Sequence, residues 1–211
     1  EDDYDSEFRY TTRPLPSLQS IDSRDRVIYL GTFTKSIAPS LRISFLVLPP
    51  NLLDRYQDAY GIFGSPVSRL EQRVLYAFLE EGYFELHVNK MRVVYRNKRS
   101  FLEKSLRAAF GDRLVIQGEN AGHHLLVSPH NGMDETMLCA AAKKQGVGVY
   151  PISPYFIGKM PPCYQGNVLL GYGGLSEEQI QQGVDLLQKA WDTRCLLYTS
   201  PSPRDRGLSR M

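Results

Sequence analysis

The residue types that together support amine chemistry fall within the first 42 positions of this 211-residue chain. Lys35 lies in the segment Gly31-Thr32-Phe33-Thr34-Lys35-Ser36, between hydroxyl side chains and ahead of Arg42, while Asp2, Asp3 and Tyr4 stand together at the start. A neutral lysine amine attacks an aldehyde, and burial or neighbouring positive charge favours the neutral form. A carboxylate can keep a ring nitrogen protonated, and a phenol can hydrogen-bond a ring oxygen. Hydroxyls, backbone amides and a guanidinium with its paired donors can hold a phosphate. Spacing alone does not separate this reading from a plainer one, because Lys and Asp in loops are ordinarily solvated.

The elements around these residues place them at strand ends. The run 26–31, RVIYLG, reads as a buried strand, and 43–48, ISFLVL, as a second one closed by Pro49-Pro50. The intervening GTFTKSIAPSLR is too polar and too punctuated to be the interior of either, so it reads as a loop. Asp2, Asp3 and Tyr4 would end a strand that begins before residue 1. In an open parallel sheet, ligands bind beyond the carboxyl ends of adjacent strands, so two such ends could converge on one ring. Adjacent strand residues face opposite ways, which leaves open whether Asp2 or Asp3 would meet it.

Downstream, Asn51–Tyr60 reads as a short helix capped by Asn51. Apolar residues at spacings of three and four from Leu70 to Phe110 predict two amphipathic helices, broken at Gly82 and ended by Gly111. Strands are expected next at 115–117, 124–127, 147–150 and 167–170. Helices are expected from Asp134 to Gln145 and from Ser176 to about Thr193, the second with the Ser176/Gln179 spacing of a capping box. Of His123 and His124, one would point inward as a core histidine.

Composition narrows the function classes. The chain is 42% hydrophobic and 23% charged with a net charge of +2, a globular balance that gives no sign by itself of nucleic-acid or membrane attachment. The cationic residues between Lys90 and Arg107 alternate with apolar ones and read as a solvated helix face. Cys139, Cys163 and Cys195 lack metal-ligand spacing and are odd in number, which fits a reducing cytoplasm and no metal site. No stretch of about 18 apolar residues is present. The chain opens on Glu1 rather than Met, so the native start is expected to lie upstream. Residues 195–211, which begin CLLYTSPSPRD, read as the translation of a sequencing-library adapter.

Three blocks carry a resemblance: EDDYDSEFRY, RPLPSLQSID and VIYLGTFTKSIAPSLRISFLVLPP. They are similar to the aminotransferase-like domain of MocR-type regulators of the GntR superfamily, from Glu1 to about Trp191. The resemblance implies an α/β fold of the fold-type I class of pyridoxal-5′-phosphate-dependent transferases, like class I/II aminotransferases. It implies Lys35 as the Schiff-base lysine and Asp2 as the partner of the pyridine nitrogen, with Asp3 as the alternative. Tyr4 would lie near the ring 3-oxygen, and Thr32 and Arg42 at the phosphate. It also implies a homodimer, a small amino compound or amino acid as effector or substrate, and DNA contact only through an upstream winged-helix domain. In some relatives an arginine near the segment Tyr150–Tyr155 grips a substrate carboxylate, but no arginine lies between Tyr150 and Gly158 here.

The expected organisation is the end of a large domain (1–84), a bridging helix (85–110), a small α+β domain (111–194) and the adapter-like tail (195–211). Cut off from the rest of its large domain, such a piece would expose sheet edge and apolar surface. The alternatives to a regulator's effector domain are a stand-alone aminotransferase and a remnant that has lost its coenzyme.

Overall fold

The computed structural model describes residues 1–10, 15–118 and 120–192. The adapter-like residues 195–211 lie outside that range. The chain divides into two compact units. One comprises Glu1–Asn97 with Asn120–His123, and the other residues 98–119 and the chain from His124 onward.

The first unit holds a three-stranded sheet in the order β1-β2-β3. Strand β1 (Asp2–Asp3) is followed by one helical turn, α1 (Leu18–Ile21), and then β2 (Tyr29–Thr32). Next come a second helical turn, α2 (Phe33–Ser36), and β3 (Ser44–Val47). Strands β1 and β2 are parallel, with Asp2 opposite Leu30 and Asp3 opposite Gly31. Strand β3 runs antiparallel to β2, so the sheet is mixed rather than wholly parallel.

Strand β2 begins three residues later than the apolar run suggests. The Asp22 carboxylate accepts the backbone N–H groups of Arg24, Arg26 and Val27. These amides are then unavailable to a strand ladder, and the same bonds hold the Asp22 carboxyl below its ordinary pKa. Nor is β2 buried as a whole: Gly31 is buried, but Leu30 is exposed, as are all four residues of β3. Among the described residues of this unit, Phe8, Ile43 and Val88 are buried apolar side chains.

Helix α3 (Pro50–Tyr60) starts on proline, which suits a first turn because its missing N–H would have no helical partner there. Pro49, not Asn51, is therefore the N-cap residue. Helix α4 (Arg69–Glu80) and helix α5 (Tyr83–Phe110) are separated at Gly82, whose φ of 75° is readily adopted only by glycine.

The second unit is built on an antiparallel sheet of β4 (Leu114–Gln117), β5 (His124–Pro129), β6 (Tyr150–Pro151) and β7 (Val168–Gly171), in the order β4-β5-β7-β6. Helix α6 (Glu135–Lys144) packs against β6 and β7, and helix α7 (Glu177–Trp191) packs against α6. Asp134 caps α6, and α7 carries the reciprocal Ser176–Gln179 capping box expected from its spacing. Leu125, Val127, Leu138, Val168 and Tyr172 are fully buried, and Ile180, Val184, Leu187 and Trp191 line the inner face of α7. Glu135 accepts the N–H groups of Ile152 and Ser153 at 3.0 and 3.1 Å, fixing the backbone that comes after β6. No helix among the described residues is long and apolar enough to cross a membrane.

Trp191, the single tryptophan of the chain, donates its indole N–H to the Leu138 carbonyl at 3.1 Å, so its fluorescence reports on this unit. Leu138→Ala should destabilise the unit by about 2–5 kcal/mol, the range for truncating a buried leucine. Urea melts monitored by Trp191 emission measure it, and a loss under roughly 1 kcal/mol would contradict the packing described.

Candidate functional site

The loop after β2 is held in place by hydroxyl groups. Thr32 caps α2 by accepting the Thr34 N–H at 3.2 Å, and the Thr34 hydroxyl donates to the Leu41 carbonyl at 2.8 Å. The Ser44 hydroxyl donates to Thr32 Oγ1 at 3.3 Å, and the Phe33 N–H to the Ile43 carbonyl at 3.0 Å. A loop read from sequence as wholly irregular thus contains one helical turn, with Lys35 on it. The Ser36 hydroxyl beside it is buried and has no hydrogen-bond partner among the described residues.

Strand parity decides which side chains face the same way. Asp2, Leu30, Thr32 and Ser44 share one face of the sheet, while Asp3, Tyr29, Gly31 and Phe45 share the other. All four residues of the first set line an open cavity of about 460 Å³, together with Tyr4, Thr34, Lys35 and Arg42. Gly31 and Phe45 complete the lining. The five residues singled out from the sequence, Asp2, Tyr4, Thr32, Lys35 and Arg42, are therefore brought together at one cavity.

Asp3 is not among the lining residues. Its Oδ2 accepts the Tyr29 hydroxyl at 2.8 Å and its Oδ1 accepts the Ser6 N–H at 3.2 Å, so both oxygens are engaged away from the cavity. Burial, with a further contribution from this bond to Asp3, pushes the Tyr29 phenol up to about 12, which keeps it a donor across the physiological range.

Among the described residues, Asp2, Lys35 and Arg42 form no side-chain hydrogen bond or ion pair, although all three line the same cavity. An amine, a carboxylate and a guanidinium left unpaired around one space, with the hydroxyls of Tyr4, Thr32, Thr34 and Ser44 beside them, suit a compact ligand of mixed charge. That donor set fits pyridoxal phosphate, which carries an aldehyde, a basic ring nitrogen and a dianionic phosphate.

Sequence reasoning passes over Ser44, Phe45 and Tyr29. Ser44 becomes visible only once the Thr32–Ser44 register is known, and Tyr29 only once Asp3 is known to share its face. His123, half-buried rather than in the core, is held in a ring cluster, 4.6 Å from Phe8 and 4.4 Å from Tyr95 between ring centroids, while His124 is exposed.

No family model matches the chain. It is 44% identical over 191 residues to the HTH-type transcriptional regulator YhdI of Bacillus subtilis, covering 90% of this chain and 40% of that protein. It is 37% identical to the probable rhizopine catabolism regulatory protein MocR of Rhizobium meliloti, covering 90% and 38%. The chain thus spans about two fifths of the length of these relatives. Among solved structures, the multiple substrate aminotransferase of Thermococcus profundus superposes with a TM-score of 0.80 at 25% identity, covering 93% of this chain and 48% of that one. The α-aminoadipate aminotransferase LysN of Thermus thermophilus, complexed with N-(5′-phosphopyridoxyl)-L-leucine, gives 0.78 at 26% identity, covering 93% and 50%.

Two outcomes test the geometry. A Cβ on Gly31 would overlap the Phe45 ring at Cζ, so Gly31→Ala should cost about 1–3 kcal/mol in a denaturant melt, and adding Phe45→Leu should recover most of it. Burial raises the Glu7 carboxyl, aided by the charges of Asp3 and Asp5. A raised folded pKa stabilises below the unfolded value of 4.5, and that contribution is lost as pH climbs through the folded value. Glu7→Gln should therefore gain stability over wild type at pH 7 and show no gain below about pH 4, as read by circular-dichroism melts.

Proposed function

We propose that this chain, similar over 90% of its length to MocR-type regulators and in fold to aminotransferases, holds pyridoxal 5′-phosphate in its cavity and serves as the effector site of a transcriptional regulator. The observation that carries the reading is the convergence of Lys35, Asp2 and Arg42, unpaired, on one cavity. When bound, the coenzyme supplies an aldehyde carbon for condensation with amines and a ring that takes up electrons.

The chain's own residues have separable tasks. Lys35 Nζ, carried on the turn that Thr32 caps, is the nucleophilic amine. Asp2 presents its carboxylate from β1 as the acceptor that holds a proton on the ring nitrogen. Tyr4 donates its hydroxyl toward the ring 3-oxygen. Arg42 offers paired N–H donors to the phosphate and Thr32 a hydroxyl, with Thr34 and Ser44 keeping that hydroxyl in place. The ligand would be a small amine or amino acid, whose amino group the cavity would receive beside Lys35. DNA contact, a homodimeric state and a cytoplasmic location belong to this reading of the complete regulator.

A second reading, turnover as an aminotransferase, draws on the likeness to solved aminotransferases. The higher identity to regulators, 44% against 25%, favours the first. Release of a keto acid from an amino acid by the complete protein would favour the second.

In the full-length protein, added pyridoxal 5′-phosphate should give a visible absorbance, and borohydride reduction should leave a stable adduct on the peptide containing Lys35. Lys35→Ala should abolish both. Arg42→Ala should weaken coenzyme affinity by roughly 10- to 100-fold, the range for a lost charged hydrogen bond. Mass spectrometry that finds no adduct at Lys35, or finds it on another lysine, defeats the assignment.

A further inference from the structure

Tyr29 lies outside the cavity, on the opposite face of the sheet from Asp2. We propose that Tyr29 is a positioning residue for Asp2, acting through Asp3, so that one carboxylate of the Asp2-Asp3 pair orients the other. The inference rests on the reading that Asp2 meets the ring nitrogen of pyridoxal phosphate, and it assigns work to two residues that never touch the ring.

Strand β1 pairs with β2 through Asp2 and Asp3, and the Glu1 carbonyl accepts the Leu30 N–H at 2.8 Å. In a strand, a shift of one residue turns every side chain to the opposite face. Here such a shift would remove Asp2 from the cavity and put Asp3 in its place.

Asp3 prevents this by being anchored on the far face. The Tyr29 hydroxyl donates to its Oδ2 at 2.8 Å, from a neighbouring strand, and the Ser6 N–H donates to its Oδ1 at 3.2 Å, from the turn after β1. Two donors from separate elements fix the plane of the carboxylate and with it the rotation of β1. A hydroxyl donating to a carboxylate is among the stronger hydrogen bonds available. The Tyr29 ring is itself placed, with its centroid 6.1 Å from that of Phe45 across β2 and β3. Because parity sends Asp2 the opposite way, fixing Asp3 fixes the direction in which Asp2 presents its oxygens.

The test uses the full-length protein as wild type, Asp2→Asn, Tyr29→Phe, Asp3→Asn and the double variant Asp2→Asn/Tyr29→Phe. Tyr29→Phe keeps the ring and removes one hydroxyl, and circular dichroism checks that each variant is folded. Each is titrated with pyridoxal 5′-phosphate, reading both the dissociation constant and the pH dependence of the visible absorption. Asp2→Asn should shift the spectrum, and Tyr29→Phe and Asp3→Asn should reproduce part of that shift with affinity reduced roughly tenfold, as expected of coupled neighbours. In the Asp2→Asn background, removing the Tyr29 hydroxyl should change affinity by less than about twofold. A wild-type spectrum in Tyr29→Phe, or a tenfold loss that repeats in full on Asp2→Asn, would reduce Tyr29 to a packing residue and overturn the inference. A wild type that takes up no coenzyme fails at an earlier point, taking down the coenzyme reading along with the inference.

Discussion

The parallel pairing of Asp2 with Leu30 and Asp3 with Gly31 is the contact on which the candidate site depends. It sets a two-residue strand beside the strand that leads into the Lys35 turn, and so brings an acid and an amine 33 positions apart in sequence to one cavity. The pairing also sorts two adjacent aspartates that are chemically identical. Asp2 faces the cavity, whereas Asp3 is taken up by Tyr29 and Ser6. Only the register separates them.

The same logic runs through the hydroxyl residues of the loop. Thr32, Thr34 and Ser44 hold one another and the backbone between β2 and β3. None needs to be buried for this, because each bond is short-range within the loop. The result is a rigid support for Lys35 and Arg42, both of which stay exposed at the cavity. Preorganisation of this kind lets a ligand bind without first ordering the groups that receive it.

Much of this is legible in the residues alone. The helices α6 and α7 announce themselves through caps and apolar period, and Asp134, Ser176 and Gln179 make the bonds their spacing implies. Lys35, Thr32 and Arg42 are visible as a cluster because they share one short segment. The choice between Asp2 and Asp3 is not legible, since it depends on partner residues 28 positions along the chain. The apolar run misplaces the start of β2 because Asp22 draws the backbone amides of Arg26 and Val27, the first two residues of that run. The exposure of β3 cannot be read either, because hydrophobicity signals that a strand should be covered without saying which residues supply the cover.

The grip of Glu135 on the Ile152 and Ser153 amides has a bearing on how such proteins diversify. A stretch of chain whose course is dictated by a helix-borne carboxylate does not rely on its own side chains for shape. Tyr150, Tyr155 and Ile157 are exposed along it, and no arginine lies between Tyr150 and Gly158. Replacements at these positions alter what the protein displays while the underlying scaffold keeps its path, so the outward face of this span can change without the backbone changing course.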